Sequence, residues 1–411
     1  MSKRFDIAVT GGGLAGSVAA LAAAARGWTV AFVAPPPPAH DGRTTALLSE
    51  SIALLDELGV WNGIAARSAP LRTMRILDGT GRLFRAPPVA FRCEEIGLDC
   101  FGYNIPNQPL HDTLQARIAD TVHITRFGSP LASALTTADG IDVTLADGTP
   151  LSAEMVLAAD GRNSTTREAA GISVRAWTYD QTAIVLTFAH RLPHNDISTE
   201  FHTETGPFTQ VPLPGNRSSL VWAVAPGHVD GIMALPADEL NRRIEARMAS
   251  ILGAVTVDSP LQSYPMSGQI ARAFGSGRTM LVGETGHAFP PIGAQGLNLG
   301  LRDITQAIAA VVDAGGPSRA TEAVSAFDRA RRLDVGSRTA GVDMLNRVLL
   351  TSFLPVQMLR SGGLAVLGAV GPLRLLAMRE GMTPGWRSAR PAEPSSARKQ
   401  IGGQGPRGDQ P

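Results

Sequence analysis

Only two cysteines occur in the 411-residue chain, Cys93 and Cys100. Two thiols make neither a metal-ligand set nor a disulfide framework, so a reducing compartment is expected, with the cytoplasm as default. An excess of charge of either sign is also missing, since 37 Lys and Arg stand against 36 Asp and Glu. With no net field to attract a polyanion, nucleic acid is not an expected partner. The start, MSKRFDIAVTGGG, reaches glycines after a few apolar residues, which reads as a strand and not as a signal peptide. A membrane-spanning helix requires about 20 consecutive apolar residues. The greasiest stretch, 341–382, is cut by Arg347, Pro355, Arg360, Gly362, Gly363 and Arg374. It reads either as a pair of core-packing helices or as a basic, apolar surface that touches lipid or a greasy substrate. Beyond Pro384 the chain is too rich in Pro, Gly, Ser and charge to form a core, so 384–411 is expected to be a disordered tail.

Apolar content of 44% is ordinary for a folded protein, and the length suits roughly two domains. The first positive signal is 5-FDIAVT-10, a strand, followed by 11-GGGLAG-16, an alanine-rich helical run and a second strand, 28-WTVAFV-33. Gly11, Gly13 and Gly16 thus fit G-x-G-x-x-G inside a complete βαβ unit. In such a unit the first glycine makes a tight turn and the second admits a pyrophosphate to the backbone. The third lets helix and strand pack closely, and the helix N-terminus, here Leu14 and Ala15, favours the anion. The acid that usually closes the second strand is absent: Ala34 stands there, followed by 35-PPPP-38. Ribose recognition must then come from another group. No second glycine fingerprint appears in 181–268, so a nicotinamide electron donor would bind only transiently.

Further along, 41-DGRTTALLSESIALLDELGVW-61 has leucines at helical spacing from Leu47 onward, so one amphipathic helix is expected, with Arg43 just before it. Arg43 suits a structural salt bridge or, beside a helix N-terminus, a phosphate or flavin edge. A hairpin is expected from 72-RTMRIL-77 through Asp78-Gly79 to 82–86. Helix follows Pro109, and strands lead into Asp160-Gly161-Arg162. Asp160 reads as a helix cap or as a bond to ribose or pyrophosphate. Finally, 290-PPIGAQGLNLGLRD-303 sets two prolines and three glycines between a strand and a helix, a loop that offers its main chain to a ligand.

Segments 11–16, 160–162 and 283–300 all place glycine and acidic residues at the C-terminal ends of expected strands, where one extended ligand could touch all three. Together they resemble the FAD-dependent aromatic monooxygenases of the para-hydroxybenzoate hydroxylase type, whose third segment reads roughly G-D-A-A-H-x-x-x-P-x-x-G-Q-G-x-N. Here it is Gly283, Glu284, Thr285, Gly286, His287, then Pro290, Pro291, Gly293, Gln295, Gly296, Leu297 and Asn298. Glu284 replaces the usual Asp, and Ala294 is inserted. Over about residues 5 to 380 the phrasing is most similar to the ubiquinone-biosynthesis hydroxylases. The resemblance implies an α/β fold: a discontinuous, Rossmann-like FAD domain of the GR2 type from 1–72, 100–180 and 270–340. An antiparallel substrate sheet from 73–99 and 181–269 and C-terminal helices at 341–383 complete it.

The resemblance also implies site residues. Arg43 would lie near the flavin, Asn107 or Gln108 by the FAD, and Asp160, Gly161, Gly283 and Glu284 around ribose and pyrophosphate. Gln295 through Asn298 would line the flavin ring, and His287 belongs to the fingerprint without being a proven base. The implied chemistry is hydroxylation of a polyprenylated phenol through a flavin C4a-hydroperoxide, using O₂ and NAD(P)H. Other quinone-biosynthesis enzymes and the inner membrane surface are implied contacts. A base near the substrate hydroxyl would help, and the sequence nominates none. The alternatives are a flavin-binding assembly protein and a polyprenyl reductase.

Overall fold

The computed structural model describes residues 3–36, 41–80, 87–290 and 295–350, together with 371, 372 and 375. Outside them lie Pro37, Pro38, the 82–86 strand, Pro291, Gly293, most of 351–383 and the tail 384–411. The side chains of Gln295 and of 337–350 fall outside as well.

The chain begins with β1 (Lys3–Thr10), α1 (Leu14–Ala24), β2 (Val30–Val33), β3 (Thr44–Leu48), α2 (Ser49–Glu57), α3 (Trp61–Ile64) and β4 (Ala69–Leu71). Next come β5 (Thr73–Asp78), β6 (Val89–Arg92), β7 (Gly102–Pro106), α4 (Asn107–Ala119), β8 (Ile124–Phe127), β9 (Leu131–Thr136), β10 (Ile141–Leu145) and β11 (Pro150–Ala158). A short α5 (Thr165–Ala169) precedes β12 (Val174–His190), β13 (Ile197–Thr203), β14 (Gly206–Leu213), β15 (Arg217–Val224), α6 (Val229–Met233) and α7 (Ala237–Arg247). The last elements are β16 (Val255–Val257), β17 (Gln262–Ala271), β18 (Gly275–Ser276), β19 (Thr279–Leu281), β20 (His287–Ala288), α8 (Gln295–Ala314) and α9 (Ala320–Leu350).

The first sheet runs β18-β19-β11-β1-β2-β8, with β10 and β9 added beside β11. Its centre is parallel: β1 pairs with both β2 and β11, and β11 with β19. Parallel strands are covered on both faces and read as continuous apolar runs, as Ile7, Ala8 and Val9 do at 0% exposure. Helix α1 is buried nearly all round. Its alanines let it lie tightly between the sheet and α4 and α8.

A second sheet runs β20-β17-β12-β15-β14-β13-β5-β6 and is antiparallel except where β13 meets β5. Its alternation is legible in β12, where Ile184, Leu186 and Phe188 face a core completed by Leu240, Ile244 and Met248 around α7. Val185 lies on the opposite face. There a small third sheet, β3-β7-β4, joins the two large ones. Thr44 Oγ1 donates to Ser219 Oγ at 2.9 Å, and Asn104 Nδ2 donates to the Pro212 carbonyl at 2.8 Å.

One local expectation is corrected. The helix expected from the leucines at 47 and 48 begins only at Ser49, because Thr44–Leu48 pairs with Gly102–Pro106 as a strand. Two β-branched threonines favour that extended start. The strand that pairs with β5 is Val89–Arg92, with Ile76 opposite Val89. The expected 82–86 strand lies outside the described residues.

Candidate cofactor and substrate site

The first glycine loop is shaped by close approaches. Gly11 has φ +101°, and a Cβ on it would drive into the Ala159 carbonyl; one on Gly16 would strike the Gly11 carbonyl. Gly13 is different, with no atom within 4 Å of the same position. It leads into α1, which has no side-chain cap and no acid in its first turn. Free first-turn N–H groups beside an open backbone suit a pyrophosphate.

The other segments close around this loop. Ala159 N donates to the Thr10 carbonyl at 2.8 Å, and Gly161 N donates to Thr285 Oγ1 at 3.0 Å. Gly283, with φ +62°, lies against Ala15 on one side and Gly300 on the other. All three segments expected to share a ligand are thus in direct contact. The Asp160 carboxylate is committed to the turn before α5: it accepts from Ser164 Oγ at 2.5 Å, Thr166 N at 3.0 Å and Thr166 Oγ1 at 2.9 Å. That geometry is the cap-like one of its two readings. Glu284 is paired with Arg162 at 3.3 Å, and Arg162 also donates to Ser267 Oγ at 2.8 Å. This bridge links the second and third segments to β17.

Arg43 stands before a strand rather than before a helix, and its guanidinium grips Asp41 through two bonds of 2.7 Å. Burial pushes the Asp41 carboxyl up, but Arg43 and the Asn107 amide outweigh it and hold the group at about 2. The same bond to Asp41 raises Arg43. Arg43 also lies over the Tyr264 ring, 5.4 Å from its centroid. Asn107 joins this cluster fully, donating to Asp41 at 3.0 Å and accepting from Thr45 at 2.6 Å. Gln108 turns to Asp112 at 2.9 Å. His111, not singled out from the sequence, sits 3.1 Å from the Gly12 carbonyl and ties α4 to the glycine loop.

The third segment rests on a buried network that no local pattern announces. Asp303 accepts from Gly283 N at 2.8 Å and from His287 Nε2 at 2.6 Å, and Arg331 of α9 pairs with its other oxygen. Arg331 also reaches Asp334 at 2.5 Å and Gln306 at 3.1 Å. His287 stacks on Phe289 at 5.3 Å, and its Nδ1 is buried without a partner. Asn298 accepts from Leu48 N at 2.8 Å and Ser51 Oγ at 2.7 Å and donates to the Ala46 carbonyl at 2.8 Å. Its side chain fastens α8 to the β3–α2 corner. Leu297 packs on the main core, while a Cβ on Gly296 would meet no atom of the described residues within 4 Å. Away from these loops, a surface groove of about 410 Å³ lies between α8 and α9, lined by Ala310, Ala314 and Phe327.

A parallel sheet with a glycine loop at its strand ends, joined to an antiparallel sheet by two further loops, defines a dinucleotide-binding enzyme of the FAD-dependent monooxygenase class. The chain belongs to the FAD binding domain family, whose pattern matches residues 4–331. It is 34% identical to the ubiquinone hydroxylase UbiL of Rhodospirillum rubrum, over 92% of this chain and 90% of that one. It is 29% identical to the 3-demethoxyubiquinol 3-hydroxylase of Escherichia coli, over 91% and 97%. In fold it is similar to p-nitrophenol 4-monooxygenase PnpA from Pseudomonas putida, with TM-score 0.73 and 19% identity over 93% and 97% of the two chains.

Proposed function

We propose that this enzyme hydroxylates the aromatic ring of a polyprenylated phenol on the route to ubiquinone, with FAD as cofactor, NAD(P)H as transient reductant and O₂ as oxidant. One observation carries the substrate assignment: relatedness along nine-tenths of the chain to hydroxylases named for ubiquinone and its precursor.

When bound, the flavin supplies oxygen activation and delivers one oxygen atom to the ring. The protein's part is to bind, orient and exclude water. In this reading the backbone of Gly11, Gly13, Leu14, Ala15 and Gly16 holds the pyrophosphate. Asp160, Gly161, Gly283 and Glu284 border the ribose and ribityl chain. Arg43, Asn107 and Gln108 flank the flavin, and Pro291, Gly293, Gln295, Gly296, Leu297 and Asn298 form the turn beside its ring. Gly13 and Gly296, where an added Cβ meets only open space, mark where the cofactor would approach the backbone. In this reading 1–72, 100–180 and 270–340 hold FAD, and 73–99 with 181–269 wall the substrate.

Among the described residues no helix is long and apolar enough to cross a membrane. A peripheral contact, with the membrane and with other enzymes of the pathway, suits a substrate with a polyprenyl tail. Deleting the gene and identifying the accumulated quinone precursor by mass spectrometry tests the assignment. A prenylated intermediate lacking one hydroxyl is expected, and unchanged ubiquinone would refute the pathway. Purified protein should be yellow and form hydroxylated phenol only with O₂. Colourless, inactive protein would favour an assembly role, and anaerobic turnover a reductase.

A further inference from the structure

The antiparallel sheet carries a carboxylate–imidazole pair, Glu200 and His202, that the sequence did not single out. Residues directly opposite one another on adjacent strands share a face. The registers therefore fix one row: Gln262 opposite Val185, Val185 opposite Val221, Val221 opposite Thr209, and Thr209 opposite Glu200. Ser219, two residues before Val221, lies on the same face and holds Thr44 of the flavin half at 2.9 Å. The row consequently faces the flavin half and not α7. Its middle is apolar and only half-buried, and its ends are polar.

At one end, Tyr264 donates to Gln262 at 3.2 Å and lies under Arg43. At the other, His202 Nε2 is 2.8 Å from Glu200 Oε1, and Thr209 Oγ1 reaches Glu200 Oε2 at 3.4 Å. With the ring proton on Nε2 facing Glu200, the neutral imidazole leaves its lone pair on Nδ1. Among the described residues that nitrogen has no hydrogen-bond partner, and it is not one of the fully buried unpartnered atoms. Asp78 stands opposite His202 on β5 and accepts from Thr80 Oγ1 at 2.6 Å. Glu200 is two strands from Val221, about 10 Å across the sheet, and His202 lies two residues further along the same strand.

We infer that His202, oriented by Glu200, takes the proton of the substrate's ring hydroxyl; the inference rests on the ring-hydroxylase reading above. The O–H bond breaks and its electron pair stays on the ring oxygen. An N–H bond forms at Nδ1, and the imidazolium is balanced by the Glu200 carboxylate, as in other carboxylate–imidazole pairs. The electron-rich phenolate is the form that accepts oxygen, and the proton returns to the ring oxygen afterwards.

The test uses FAD-loaded protein and, as probe, 4-nitrophenol carrying a short prenyl chain, which changes colour when it ionises. Wild-type protein should bind the probe with its ionisation moved to lower pH by about one unit, a tenfold effect. His202→Gln should abolish that displacement while keeping flavin occupancy and probe affinity within about twofold. In this variant, hydroxylation coupled to NAD(P)H should fall roughly a hundredfold near neutral pH. It should then climb about tenfold per pH unit towards the phenol's own ionisation, where the wild type levels off. Glu200→Gln should show a smaller loss of the same kind. An unchanged probe ionisation and pH profile in His202→Gln would overturn the assignment. Should that variant not fold, the same unchanged result in Glu200→Gln overturns it. If wild-type protein neither binds the probe nor hydroxylates any prenylated phenol, the ring-hydroxylase reading fails and this proposal with it.

Discussion

The two faces of the antiparallel sheet are built from the same strands and are finished differently. Ile184, Leu186, Leu220 and Trp222 are sealed against α7 at 0–2% exposure, whereas Val185 and Val221, one residue along, remain half-buried. Since successive side chains point to opposite faces, a single-residue step separates a position sealed in the fold from one on the open face. Substitutions on the two faces are therefore expected to act separately on stability and on ligand binding.

The largest loss of stability is expected at the sealed face. Trp222→Ala should lower unfolding free energy by about 4 kcal/mol, seen as a lower urea midpoint; a loss under about 1 kcal/mol would mean that α7 does not seal it. Its Nε1 is buried without a partner, and the Arg247 guanidinium, pushed down by burial, lies 5.0 Å from its ring. Trp222→Phe should accordingly be much milder. Arg331→Met comes next, at about 3 kcal/mol, because it leaves Asp303 and Asp334 buried without their cation. Flavin affinity should fall with it, since Asp303 fixes Gly283. Full flavin occupancy at wild-type affinity would contradict that link.

On the open face, Val221→Ala should change stability by only about 1 kcal/mol while altering how tightly a prenylated phenol binds. Unchanged substrate affinity would remove Val221 from the wall. Asp41 offers a smaller effect with a definite sign. Its folded value of about 2 lies below the ordinary 3.8, so its contribution is complete above about pH 4 and disappears as pH falls through 2. Arg43 is half exposed, so solvent screening limits the gain to about 1 kcal/mol or less. Urea midpoints of Asp41→Asn and wild type should converge near pH 2 and separate above pH 4. Gly296→Val should leave the midpoint within about 0.5 kcal/mol, as no atom of the described residues crowds that position, yet weaken flavin binding. A variant that keeps its flavin would displace the cofactor turn from Gly296.

Local signals explain what was legible in the sequence. Glycine spacing, apolar periodicity and proline positions gave β1, α1, β2, a helix expected after Pro109 that in fact starts at Asn107, and α8, because each depends on neighbours within a few residues. Thr44–Leu48 escaped because its strand partner lies near residue 104, so pairing across the chain overrides the leucine periodicity. Asp303 and Arg331 escaped for the same reason. Each looks like a surface charge on an amphipathic helix until α8 and α9 are packed together. Glu200 and His202 sit in an unremarked strand, and only the sheet registers put them on the face that carries Ser219 and Val221. Asp160 and Asn298 illustrate a different limit. Both were named from their motifs, and their side chains prove largely occupied in fastening loops.

The strand order of the parallel sheet has a consequence for synthesis. β1 lies between β2 and β11, so one edge of it waits from residue 10 until residue 150 has left the ribosome. At ordinary elongation rates that is on the order of ten seconds. β11 then waits in turn for β19, and the Gly283 loop is pinned only once Arg331 arrives to neutralise Asp303. The cofactor pocket is therefore expected to close only late in synthesis, with one apolar edge of β1 open in the interval.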